Sequence, residues 1–323
     1  MNTKSTKFLV WGVALLLSAP LLVRAAEEDS GRRDNFSKSH DRCRFCDLRY
    51  ENLSARDLTG VDLAGAFLHG ANLSWSDIKK GRFSSANMVL VRMEWANLDG
   101  ADLSKAYLED AAMFRSTFRN TDFRMANLSR ANLSRSEMSG VNFVTAILRG
   151  ADLSTARIGN ADLRQADLTD ANLEGARVRE SNLQGAILDR ANLQGCDFTN
   201  SDLSGSSVRG ASFAATYIHL VNFRKADLSG SDFKGALIDA TNFSGANLRK
   251  VDFTGAVFHN SILRGADLCG AKLPDGSVGP CANPADAPKE QQEGAKEPAA
   301  ATTPPAEKVA SAAALLTIQR AAS

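Results

Sequence analysis

The residues with the most evident chemistry are Cys43 and Cys46, in the stretch HDRCRFCDLRYENLSARDL at 40–58. A Cys-x-x-Cys pair serves as a redox centre, as half of a zinc site, or as a structural clip. A redox pair of the thioredoxin kind sits at a helix start beside a strand, and nothing around 43–46 supplies that setting. Zinc takes four ligands; His40, Cys43 and Cys46 offer three, and no second Cys or His pair follows nearby. A second constellation is His219, Asp239 and His259, spaced by 20 residues, which would bind a metal or respond to acid pH if brought into line. The chain has only four His, no Gly-rich phosphate loop and no supported Ser–His–Asp set. The expectation is therefore a protein that is not an enzyme and takes no cofactor.

The elements that must position these residues are set by a rhythm. From Leu48 to Leu273 every fifth residue is apolar, 46 positions in all: 25 Leu, 11 Phe, 4 Met, 4 Ile and 2 Val, with no insertion or deletion. Two residues before each centre stands a small side chain, except at Glu51 and Arg56, and just before the centre 28 of the 46 positions are Asp or Asn. Five residues advance an apolar group by about 140° on an α-helix, so no stripe forms. On a flat strand successive centres would alternate between faces. All centres share one inside only if the chain turns a corner once per five residues, and four corners close a square coil of 20. Asp and Asn beside the corners suit turns, because their side chains bond nearby backbone groups. Proline is absent between Leu21 and Leu273, as coils stacked through backbone N–H groups require.

The stretch GADLSTARIGNADLRQADLTDANLEGA at 150–176 resembles the pentapeptide-repeat family and its pattern A-(D/N)-L-x-x, and the resemblance extends over 43–273. It implies an all-β fold, a right-handed quadrilateral β-helix. Forty-six units, four per coil, make about eleven and a half coils, or a rod of roughly 55 Å at ~4.8 Å per coil. The family implies a shape and no single activity, so function must be sought on the surface and at the ends.

On such a rod the cysteines sort themselves. Cα atoms more than about 7 Å apart cannot be bridged, so the two ends cannot be joined. Cys196 lies coils away from either end. The remaining pairs are Cys43–Cys46 and Cys269–Cys281, with Cys196 a buried free thiol. The closing LCGAKLPDGSVGPC also resembles the end of many exported family members. The structural clip is the favoured reading of Cys43–Cys46; metal and redox roles remain open.

Residues 20 apart form columns on the surface. Trp75, Trp95, Arg115 and Arg135 make one, with Phe114 on the same face and Phe67, Val89, Leu90 and Tyr107 on the adjoining one. This apolar and aromatic patch is a candidate partner or sugar-binding surface; the plainer reading is a stacked ladder with Arg115 over Trp95. A second, weaker strip is Tyr217, Leu237 and Val257, a candidate dimer or partner contact beside the His219–Asp239–His259 column. Between Asp41 and Pro280 there are 28 acidic and 28 basic residues. Some cytoplasmic family members mimic DNA and bind gyrase through an acidic surface; this neutral balance speaks against that role. Nor is there a basic excess for binding nucleic acid.

The ends complete the organisation. Residues 1–25 read as a signal peptide: Lys4 and Lys7, the apolar FLVWGVALLLSAPLLV, and a small-residue cleavage point after Ala25. No later segment is apolar enough to span a bilayer. Residues 26–42 are a linker, 43–281 the β-helix with its end clips, and 282–323 a Pro-, Ala-, Glu- and Lys-rich tail expected to be disordered, with one amphipathic stretch, EKVASAAALLTIQRAA. The expected protein is an exported rod, periplasmic or extracellular, that binds or scaffolds an unidentified protein, with a homodimer through a rod end or apolar strip as a further option. Two alternatives are a DNA-mimic regulator of a topoisomerase and a thiol-active envelope protein.

Overall fold

The computed structural model describes residues 43–281. The signal peptide over 1–25, the linker over 26–42 with His40, and the tail over 282–323 lie outside the described residues. Within them the chain repeats one local structure every five residues. The centre and the small residue two before it face inward, and the residue between them bridges to neighbouring coils. The two residues after the centre make the corner. Leu63, Leu68, Leu73 and Ile78 show no exposure, nor do Ala66 and Ala71 beside them. Small and large side chains alternate around the square, which is how a narrow interior is filled without voids.

Stacking follows from backbone hydrogen bonds at a separation near 20. The Leu48 N–H donates to Phe67 O (2.8 Å) and the Phe67 N–H donates back to Cys46 O (2.8 Å), and this exchange recurs along the rod. Bridges are parallel and 20 residues apart, from Asp47↔Phe67 to Asp252↔Lys272. Most faces contribute a single bridged residue. Five lengthen into strands: β1 (Arg157–Gly159), β2 (Arg177–Arg179), β3 (Tyr217–His219), β4 (Leu237–Asp239) and β5 (Val257–His259). β1 pairs with β2, and β3–β4–β5 form a three-stranded parallel sheet in which Tyr217 faces Leu237 and Leu237 faces Val257.

The corners explain the Asx rule. Asn or Asp before the centre accepts the N–H two residues on, as Asp102 does from Ser104 (3.0 Å) and Asp202 from Ser204 (2.8 Å). The second corner residue has positive φ, for example Trp75 at 66° and Arg130 at 59°. Most residues there are not glycine, so each corner carries a backbone cost that the coil-to-coil hydrogen bonds must hold in place. Where a Ser or Thr occupies the inward position of the next coil, its hydroxyl enters the turn. Ser201 Oγ donates to Val178 O (2.7 Å) and accepts the Ser181 N–H (3.1 Å). Ser181 and Ser261 accept the corresponding N–H groups after β1 and β4, and Thr241 donates to Ile218 O in β3.

The C-terminal end changes pattern. Lys272 bridges Val278 antiparallel, Leu273 N–H donates to Ser277 O (2.7 Å), and Gly279 N–H donates to Ala271 O (2.7 Å). This hairpin folds back against the last coil and is tied by Cys269–Cys281, whose Cα atoms are 4.3 Å apart.

Candidate functional site

The Cys43 and Cys46 sulfurs are bonded to each other, with Cα atoms 5.4 Å apart, so neither presents a thiolate for zinc or for attack on a disulfide. The Cys43 N–H donates to Asp62 O (2.8 Å), which ties this clip to the start of the next coil. Cys196 is free and buried, and burial together with the Asp197 charge pushes its thiol well above the usual cysteine range. Among the described cysteines only Cys196 is a thiol, and it is buried.

The N-terminal column forms as a ladder. Trp75 and Trp95 stack with ring planes 6° apart and centroids at 4.9 Å; Phe114 meets Trp95 edge-on at 6.0 Å; and the Arg115 guanidinium lies 4.6 Å from the Trp95 ring centre. Trp75 is 62% exposed and Trp95 39%. Both faces of Trp95 are therefore covered, one by Trp75 and one by Arg115, while its edge meets solvent. A sugar stacks on an open ring face, and Trp95 offers none. Around the adjoining corner Phe67, Leu90 and Tyr107 are exposed and Val89 is half-buried. Corner residues project from positive-φ backbone at coil spacing, so the patch is rigid and the partner would have to match it.

The second strip is carried by β3, β4 and β5, with Tyr217, Leu237 and Val257 in register and all exposed. Leu220 and Ile262, also exposed, extend it around the corner. In the column beside it, His219 Nδ1 lies 2.9 Å from Asp239 Oδ2, and the His219 ring stacks parallel to Tyr217 at 5.7 Å. The column thus forms a His–Asp pair, and no cluster that could hold a metal ion occurs among the described residues.

Two exposed aromatics did not stand out in the sequence. Phe45 and Tyr50 are each 72% exposed, yet their rings lie over Gly65 and Gly70, one coil on, so closely that a Cβ at either glycine would collide with them. The signal was present as an aromatic followed 20 residues later by glycine. Charged columns pair in the same way. Arg130 is bidentate to Asp110 (2.8 and 2.7 Å) and Arg190 to Asp170 (2.7 and 2.7 Å), while Arg209 closes on Asp189. No helix among the described residues is long and apolar enough to cross a membrane.

Parallel coils of four five-residue sides, with inward Leu or Phe and corner Asx residues, define a β-solenoid of pentapeptide repeats. The profile described as pentapeptide repeats matches in eight copies at 42–74, 57–94, 82–113, 92–128, 113–150 and 146–185, and that of a pentapeptide repeat region matches 186–267. The chain belongs to the pentapeptide repeat family. These profiles describe repeats and indicate no catalytic domain. Among solved structures the chain is similar to HetL, a pentapeptide repeat protein involved in heterocyst differentiation regulation from the cyanobacterium Nostoc sp. strain PCC 7120 (25% identity, 80% of this chain and 99% of that one, TM-score 0.37). It is also similar to QnrB1, a plasmid-mediated fluoroquinolone resistance protein (25% identity, 55% and 90%, TM-score 0.41). A third similar structure is a pentapeptide repeat protein from the Arabidopsis thaliana thylakoid lumen (26% identity, 39% and 71%, TM-score 0.19). No curated protein matches the chain.

Proposed function

We propose that this protein is an exported, non-enzymatic rod that presents its N-terminal aromatic patch to a protein partner and so acts as a binding or scaffolding module. The observation that carries the reading is the Trp75–Trp95 stack with Phe114 at its edge. Large aromatic side chains held rigidly in solvent are the composition of an interface centre. The export half of the reading is supported by the leader-like 1–25 segment and by two end disulfides, bonds that persist in oxidising compartments. Capture from an envelope extract by the mature chain, compared with Trp75→Ala/Trp95→Ala, tests the patch. Partners retained by the native rod and lost by the variant support it; equal recovery of every partner by both removes it. Mass spectrometry of the exported protein tests the leader, with an N-terminus at Ala26 expected.

The DNA-mimic reading calls for an acidic surface, and here the carboxylates are balanced in number and largely paired with Arg or Lys. Gyrase supercoiling assays decide it: inhibition or protection at low micromolar rod would replace the scaffold reading. The thiol-active reading predicts reductase activity lost in Cys43→Ser.

A further inference from the structure

We propose that the partner surface extends along the rod as a cationic track and that its occupant is an acidic polypeptide segment. The proposal rests on the partner-binding reading of the aromatic patch and names the chemistry of that partner. Six consecutive coils contribute residues in two adjoining columns: Trp75, Trp95, Arg115 and Arg135 stack at the corner, and Arg157 and Arg177 stand two positions on, in the neighbouring column that continues from Glu137. All four arginines are exposed. Beside Arg157 and Arg177 the corner column continues as Thr155 and Gly175, which leaves room over the face.

What distinguishes this run is charge left over. Elsewhere most arginines of the rod close on a carboxylate of their own or a neighbouring coil, as Arg119, Arg124, Arg130, Arg149, Arg164, Arg179, Arg190 and Arg209 do. Arg115, Arg135 and Arg177 form no ion pair among the described residues, and in this track only Arg157 does, with Glu137 (3.2 Å). Arg115 lies against Trp95 and so keeps its N–H edges free to fork onto a carboxylate. Charge complementarity therefore calls for an anionic occupant over the arginines. The exposed edges of Trp75 and Trp95, with Phe114, call for apolar side chains in the same occupant.

An acidic polypeptide meets both demands. A nucleic acid meets them less well, because successive bases stack on successive open ring faces and Trp95 has none, which leaves Trp75 alone.

The test is fluorescence anisotropy of a fluorescein-labelled peptide of four Glu-Asp-Leu repeats, titrated with the full-length exported chain. Oligo-dT of twelve nucleotides and a heparin dodecasaccharide run as parallel probes. Saturable binding of the peptide is expected, weakened at least tenfold in Arg115→Gln/Arg135→Gln/Arg177→Gln and by raising NaCl from 50 mM to 0.5 M. Binding unchanged in the triple variant, or no saturable binding to the native chain, overturns the proposal. So does tighter binding of oligo-dT or heparin with the same Arg dependence, which would reassign the track to that polymer. Circular dichroism checks that the variants, all at exposed positions, keep the fold. Partner capture lost in Trp75→Ala/Trp95→Ala but kept in the Arg variant would sink the acidic occupant and leave the patch reading standing; capture kept in the Trp variant would sink the patch reading and the proposal with it.

Discussion

Gly65 shows how much a single position carries on this rod. It sits at a corner with φ +68°, and the Phe45 ring occupies the space a Cβ would need. Substitution by alanine adds strain at positive φ and displaces the ring, so Gly65→Ala is expected to destabilise the chain by about 1–2 kcal/mol. A urea midpoint unchanged by that substitution would show the ring to be loosely placed. Gly60, with the same sign of φ (+73°) and nothing near its would-be Cβ, is the matched control and should cost only the conformational part. Contact with the ring thus separates two glycines that look alike in sequence.

At the scale of elements, hydroxyls and clips are the parts that vary. In Ser201→Ala the Ser181 N–H loses its acceptor, but Val178 O lies in the same turn and can take it, closing the turn as at the neighbouring corners. The expected cost is therefore modest, about 1 kcal/mol, with a changed amide exchange rate at Ser181 as the local signature. Unaltered exchange there would mean that the hydroxyl is not holding the turn open. The C-terminal hairpin makes a different prediction. Cys269→Ser/Cys281→Ser removes a bridge with a sequence separation of 12, a loss of about 2–4 kcal/mol for the capping segment. In a solenoid each coil touches only its neighbours, so amide protection should fall over 263–279 and hold around Trp75. Protection lost equally along the whole rod would contradict that locality.

For the whole molecule, the carboxylates set the acid limit. Burial pushes the Asp252 carboxyl up, but hydrogen bonds from Thr254 and Lys272 and the Lys234 charge outweigh it and bring the carboxyl to about 2. Asp162 is lowered chiefly by its hydrogen bonds from Arg164, and Asp110 and Asp170 by theirs from Arg130 and Arg190. Each of these folded-state values lies below the unfolded one, near 3.9. The stability they contribute is thus complete above about pH 4 and is lost as pH falls toward 2. Urea midpoints should be level from pH 7 to 5 and drop steeply between pH 4 and 2. A flat profile through pH 3 would remove the ion-pair columns from the account of stability.

Much of this architecture was legible in the residues. An apolar centre every fifth residue with a small residue two before it calls for a chain that turns a corner once per five residues, the family resemblance implies four corners per coil, and Asx before 28 of the 46 centres marks where the turn is bonded. The columns at a spacing of 20, including Trp75 over Trp95 and His219 beside Asp239, follow from that register because stacked parallel coils keep residues 20 apart in contact. The hidden part lies in directions rather than positions. Spacing does not say that both faces of Trp95 are covered, that Phe45 lies down over Gly65, or that Arg130 finds Asp110 while Arg135 finds no carboxylate among the described residues. Nor does it foretell the antiparallel hairpin after Leu273, where the repeat has stopped and periodicity carries no information. By itself the sequence determined the five-residue side and its inward face, since only a chain that turns at every fifth residue keeps all the apolar centres on one inside. Only the tertiary structure decided which surface groups satisfy one another, because that depends on how each side chain leaves its corner.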